Sequence, residues 1–258
     1  MPKRRAGGHW LGLWLATLGR RWDLVVDLRA SAIAWLLSAR ERRVFQPGGN
    51  DHRVIELGRL LGLDPPPAPR VWCGPAERQR AAELMPDGRW LALGPTANWG
   101  GKQWPAERFA ELARQLTRPG GVMAGARVAV FGGPGEQAAA APLLAALPTV
   151  DLVGRIDLAT AAACLARAAL YIGNDSGLMH TAAAAGTPTL GLFGPSREAH
   201  YAPWGPRAAS VRTDLDYDAI LATPGYDYRS SASHMGSLSV AKVEQAAAAL
   251  LARLAVAA

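Results

Sequence analysis

Leu170-Tyr171-Ile172-Gly173-Asn174-Asp175-Ser176-Gly177-Leu178-Met179-His180 is the stretch on which the fold turns. Three apolar residues, Leu170 to Ile172, read as a short buried strand. The small and polar residues from Gly173 open a helix that runs to Ala185. Either Asp175 or Ser176 can cap that helix. Its N-terminus presents free N–H groups and a partial positive charge, which suits a diphosphate. His180 falls on the first or second turn, where it either faces the same ligand or has a purely structural role.

Working outward, the same strand-then-helix alternation repeats. Upstream, the pattern predicts strand Trp90 to Leu93, helix Ala106 to Leu116, strand Arg127 to Phe131, helix Glu136 to Leu147, strand Val150 to Val153 and helix Ala159 to Ala168. Downstream, Thr187 to Phe193 is a further strand, and Val240 to Ala257 is an Ala/Leu-rich terminal helix. Strands alternating with helices of this length predict parallel βαβ units in a doubly wound α/β sheet, with ligands at the carboxyl ends of the strands.

The N-terminal part is read as a second, smaller α/β unit. It has helix Trp10 to Arg20, strand Asp23 to Leu28, helix Ala30 to Arg40, strand Arg43 to Phe45, and helix Asp51 to Gly62 with the glycine as its stop. Asp64 to Arg70 holds four prolines in seven residues and marks a connection. The expected division is 1–88 for a partial N-terminal lobe with linker, 89–236 for a ligand-binding domain and 237–258 for a helix packing back.

Two further loops carry candidate chemistry. Gly94-Pro95-Thr96-Ala97-Asn98-Trp99-Gly100-Gly101-Lys102-Gln103-Trp104-Pro105 joins a strand to a helix. Its glycines are read as letting an anion approach the backbone, with Lys102 supplying charge and Thr96 and Asn98 hydrogen-bonding groups. The alternative is an ordinary structural connection. The Gly-Lys-Ser/Thr ending of a nucleoside triphosphatase loop is absent. Glu136, after the Phe131-Gly132-Gly133-Pro134 turn, either accepts from a ribose or sugar hydroxyl or is a helix-start carboxylate stabilised by the dipole. Gly191 to Ser196 repeats the small-residue pattern after the last strand.

Composition bounds the rest. Half of the 258 residues are hydrophobic and 19% are charged, as in a folded chain with a real core. Residues 1–43 contribute +6 of the formal net charge of +7, through Lys3, Arg4, Arg5, Arg20, Arg21, Arg29, Arg40, Arg42 and Arg43. Such a patch either favours an anionic partner, with nucleic acid ranked last because no recognition motif accompanies it, or is simply a solvated arginine-rich face. Cys73 and Cys164 have no disulfide or zinc spacing, which fits a reducing cytoplasm. No apolar run reaches the roughly 20 residues of a membrane span, and the basic start lacks a cleavage pattern for a signal peptide.

At these residues the sequence resembles the heptosyltransferases, glycosyltransferase family nine. Gly94 to Pro105 is similar to that family's Lys-x-Trp-Pro block, Gly173 to His180 to its Asp-Ser/Thr-Gly-x-x-His block, and Gly191 to Pro195 to the strand and turn that follow. The resemblance implies a two-lobed GT-B architecture with a complete C-terminal Rossmann-like domain. It also implies inverting transfer of heptose from an ADP-linked donor to a lipid-linked saccharide acceptor of the lipopolysaccharide core, with no metal or cofactor. By position it places Thr96, Asn98 and Lys102 on phosphate or sugar, Asp175 on the heptose hydroxyls, and Ser176, Gly177 and His180 around the diphosphate. Glu136 and Ile156 would flank the nucleoside. It implies a cytoplasmic protein at the inner face of the bacterial inner membrane, with peripheral contact to anionic lipid. The family's opening strand and Gly-Asp loop have no counterpart here, so the N-terminal lobe is expected to be truncated. No catalytic base is identified, Asp27 being the one carboxylate on offer, and a catalytically inactive sugar-nucleotide-binding protein is the alternative expectation.

Overall fold

The computed structural model describes residues 8–229 and 231–256. Lys3, Arg4 and Arg5 of the basic stretch, and Ala257 of the terminal helix, lie outside the described residues. The chain divides into two compact units, the first ending at Pro67 and the second beginning at Ala68.

In the first unit α1 (Gly8–Thr17) precedes β1 (Arg21–Asp27), α2 (Ile33–Leu36), β2 (Ser38–Val44) and α3 (Arg53–Leu61). The helix expected over Ala30 to Arg40 is a correction: it shrinks to the single turn of α2, and the strand expected at Arg43 starts at Ser38. Parallel pairing with β1, from Arg21 opposite Ser38 to Asp27 opposite Val44, holds the arginine-rich segment extended. Pairing outweighs weak local propensity here. α3 is set locally at both ends. The His52 side chain accepts from Val54 N, and Gly62 takes the left-handed conformation at φ 67° that a helix stop requires.

The second unit follows the order α4 (Pro75–Leu84), β3 (Trp90–Gly94), α5 (Ala106–Thr117), β4 (Arg127–Val130), α6 (Gln137–Ala146), β5 (Thr149–Asp151), α7 (Leu158–Leu165), β6 (Leu170–Asn174), α8 (Gly177–Ala184), β7 (Thr189–Phe193), α9 (Glu198–Tyr201), β8 (Ala208–Arg212), α10 (Tyr217–Leu221) and α11 (Val240–Val256). Sequence reading assigned no structure to α4, α9, β8 or α10. The division of the units also differs from the expected 1–88 and 237–258 boundaries. α4 packs on α7, and α11 packs on α5 and β8, all within the second unit.

The six strands form one parallel sheet in the order β5-β4-β3-β6-β7-β8. Winding starts at β3, proceeds outward to β5, then returns to β6 and proceeds the other way. The switch point is therefore the seam between β3 and β6, where such sheets bind nucleotides. Period-two alternation splits the core into two layers. Leu91, Leu93, Val128, Val130, Leu170 and Ile172 face α5, α6 and α11. Trp90, Ala92, Ala129, Phe131 and Tyr171 face α4, α7 and α8. On α5 the stripe Phe109, Leu112 and Leu116 is wholly buried, each side chain contributing roughly 1.5–3 kcal/mol by burial.

Candidate functional site

At the carboxyl ends of β3, β4, β5 and β6 lies a cavity of about 500 Å³, a volume in the range of small-molecule sites. The structure brings all nine sequence-predicted residues to its wall: Thr96, Asn98, Lys102, Glu136, Ile156, Asp175, Ser176, Gly177 and His180. Sequence reasoning missed Leu152, Asp157, Leu158 and Ala161. Asp157 was visible as the polar residue opening a small-residue helix.

Lys102 and Asp175 come from opposite sides of the switch point and form an ion pair, Nζ to Oδ2 2.6 Å, with side chains 24% and 7% exposed. His180 lies farther out, its Nε2 3.9 Å from Asp175 Oδ1. Glu136 takes the N-cap position of α6 without capping it. Instead its Oε2 accepts from Thr96 Oγ1 and from Gly133 N, each at 2.6 Å, bracing the β3 loop against the β4 loop. Asp157 caps α7 by accepting from Thr160 N at 2.7 Å. The Thr160 backbone N–H, then its hydroxyl, hold the Asp157 carboxyl below the ordinary carboxylate range.

Asn174, fully buried, stitches the two principal loops together. Its Oδ1 accepts from Trp104 N at 3.0 Å and its Nδ2 donates to Pro95 O at 2.7 Å. The α8 start departs from expectation. Ser176 occupies the N-cap position, yet its hydroxyl makes no cap bond, so neither Asp175 nor Ser176 closes the first turn and its N–H groups stay open toward an anion.

The glycines also divide differently from the sequence reading. Gly177 has nothing within 4 Å of where a Cβ would stand, so its backbone is open to a ligand. The space beside Gly94 and Gly173 is instead filled by the Tyr171 hydroxyl, and that beside Gly100 and Gly101 by Ser231 and the Trp99 ring. The room expected for an anion at Gly100 and Gly101 is thus taken by protein. Tyr171 is 0% exposed, and its hydroxyl, like that of Ser176, has no hydrogen-bond partner among the described residues. Burial raises the Tyr171 phenol above its ordinary range.

Asp27 belongs to the first unit. It closes β1, where its carboxylate accepts from Arg29 N, Ser31 N and Ser31 Oγ. Burial acts to raise its pKa, but the Ser31 hydroxyl, the two backbone N–H groups and the Arg29 charge outweigh it and hold the carboxyl low. These contacts give Asp27 the part of a turn anchor. Among the described residues no three His, Cys, Asp or Glu side chains gather as a metal site.

The lining combines a cation, an open helix start and acceptor carboxylates with the apolar side chains of Leu152, Ile156, Leu158 and Ala161. This is chemistry for a phosphorylated group joined to a flat ring.

The model for glycosyltransferase family 9 (heptosyltransferase) matches residues 53–221. Lipopolysaccharide heptosyltransferase 2 of Escherichia coli is 35% identical over 142 residues, covering 51% of this chain and 39% of that protein. Lipopolysaccharide heptosyltransferase 1 of Pseudomonas aeruginosa is 29% identical over 189 residues, covering 72% and 52%. The chain therefore spans about two fifths to one half of the length of these curated relatives. The solved E. coli ADP-heptose lps heptosyltransferase II superposes with a TM-score of 0.72 at 21% identity, over 95% of this chain and 81% of that one. The fold is thus the α/β, GT-B-like class expected from the sequence.

Proposed function

The chain belongs to glycosyltransferase family 9, the heptosyltransferases, and on that premise we propose that its cavity binds an ADP-linked heptose for inverting, metal-independent transfer to a lipopolysaccharide-core acceptor. The observation that carries the reading is the pairing, across one switch point, of Lys102 with the uncapped start of α8. Two phosphates placed there meet a cation and open N–H donors together. In this reading Thr96, Asn98 and Lys102 hold phosphate or sugar. Ser176, Gly177 and His180 surround the diphosphate, and Asp175 accepts from the heptose hydroxyls. Glu136 and Ile156 flank the nucleoside, with the apolar side chains beside its ring. The second unit is the donor domain and the first belongs to the acceptor side.

We place the protein in the cytoplasm, touching the inner face of the inner membrane. No helix among the described residues is long and apolar enough to cross a bilayer. In support of a peripheral contact, α1 buries none of its residues and exposes Trp10, Leu11, Leu13 and Leu15, in a unit rich in arginine.

Calorimetry with ADP-heptose, ADP and UDP tests the reading. ADP-heptose and ADP should bind, UDP more weakly, and Lys102→Ala and Asp175→Ala should each lower ADP-heptose affinity about tenfold or more. Tighter UDP binding overturns the donor assignment, and unchanged affinity in both variants removes the site.

A further inference from the structure

Lys102 sits in a 3₁₀ turn, Gly100–Lys102, and the carbonyls of its two neighbouring residues are both held by a segment far away in sequence. His234 N donates to Gly101 O at 3.0 Å. Ser233 Oγ donates to Gln103 O at 2.5 Å and itself accepts from Met235 N at 3.1 Å. The carbonyls of Gly101 and Gln103, the residues on either side of Lys102, are therefore held by consecutive residues of one strap, 231–235.

The strap is anchored and close. Met235 and Leu238 are 0% exposed and belong to the main core layer, and Leu238 O accepts from Trp104 Nε1 at 2.8 Å. Ser231 passes so near Gly100 that a Cβ there would collide with its carbonyl oxygen. Rings close the outside: His234 lies 5.9 Å from Trp99 and 5.0 Å from Tyr226, centroid to centroid. The approach of this strap thus explains Gly100, while the Trp99 ring fills the space beside Gly101.

We propose that the 231–235 strap is the positioning element of the site, with Ser233 a positioning residue that fixes the Lys102 backbone and so aims its ammonium at the donor's diphosphate. The inference rests on the reading of the cavity as a nucleotide-sugar site. Without the strap, a turn containing two glycines has many backbone states, and the long lysine side chain is displaced with it.

The test is calorimetry and NMR titration of the full chain with ADP and with adenosine. Ser233→Ala should weaken ADP about three- to tenfold, the worth of one hydrogen bond, and leave adenosine unchanged. Ser233→Thr, which keeps the hydroxyl, should restore ADP affinity. In a Lys102→Ala background Ser233→Ala should have no further effect, because its action passes through the lysine. Gly100→Ala, which presses on Ser231 from the other side, should reproduce the phosphate-selective loss. The inference falls if Ser233→Ala binds ADP like the wild type, if it weakens ADP and adenosine equally, or if its effect persists without Lys102. A wild type that binds neither ADP nor ADP-heptose removes the functional reading itself and the inference with it.

Discussion

Between β6 and α8 stand only Asp175 and Ser176, whereas the chain from β3 to α5 runs through all of Pro95 to Pro105. Both connections supply charge to one cavity, yet they are held by different means. The β6 connection inherits its geometry from the strand it ends and the helix it starts. The β3 connection is shaped from outside: by Asn174 on the neighbouring strand, by Glu136 at the next helix, and by the strap near the C-terminus. A short junction needs little besides its own sequence. A long one borrows its shape from distant residues and fails when they are changed.

The sharpest way to break this contrast is at Asn174, which ends β6 and from there holds both ends of the β3 connection. Asn174→Ala leaves Trp104 N and Pro95 O buried without partners, and should cost about 2–4 kcal/mol in denaturant unfolding. The β3 loop should then lose amide protection in hydrogen exchange while α8 keeps it. Equal loss in both would mean that the β6 junction is no more self-sufficient than its counterpart. Next in size is Lys102→Ala, which leaves the Asp175 carboxylate without its cation. Because the lysine side chain is a quarter exposed, the expected loss is discounted to about 1–2 kcal/mol, and Asp175→Asn in the same chain should recover part of it. Additive single and double variants would show that the pair does not couple the two connections.

The smallest effect is expected at Tyr171. Tyr171→Phe removes a buried hydroxyl without a partner, so stability at neutral pH should be unchanged or higher by up to about 1 kcal/mol. Alkali distinguishes the variant. The folded phenol is raised above its ordinary value of 10.0, so the unfolded chain releases that proton first. The stability from keeping it neutral is present below about pH 10 and is lost as pH rises beyond that. The phenylalanine variant should lack this part of the alkaline decline, read as Tm against pH.

What was legible in the sequence follows the same division. The β6 to α8 junction could be read directly, since strand, small residues and helix are consecutive, and periodicity gave the alternation from β3 to β7 but not α4, α9, β8 or α10. Residues of the long loop could be named as site candidates, but not the reason for their glycines. Gly100 and Gly101 carry no local mark that Ser231 and Trp99 will occupy their free faces. Ser233 and His234 were silent for the same reason: a hydroxyl and a backbone N–H acquire a role only through the carbonyls they reach. β2 misled in the opposite sense. Ala39 to Arg43 has no strand composition, and only its pairing with β1 extends it.

The uniform direction of the six strands has a practical use. Every strand points its carboxyl end the same way, toward the edge where β3 to β6 form the cavity, so the sheet has a working edge and a plain edge. The strands are four or five residues long in β3 and β4, which separates the two edges by roughly 15 Å at about 3.3 Å per residue. Asp87, just before β3, is fully exposed on the plain edge. A fluorophore or surface tether attached there can report on binding or immobilise the protein with the cavity facing solution, leaving the chemistry of the working edge untouched.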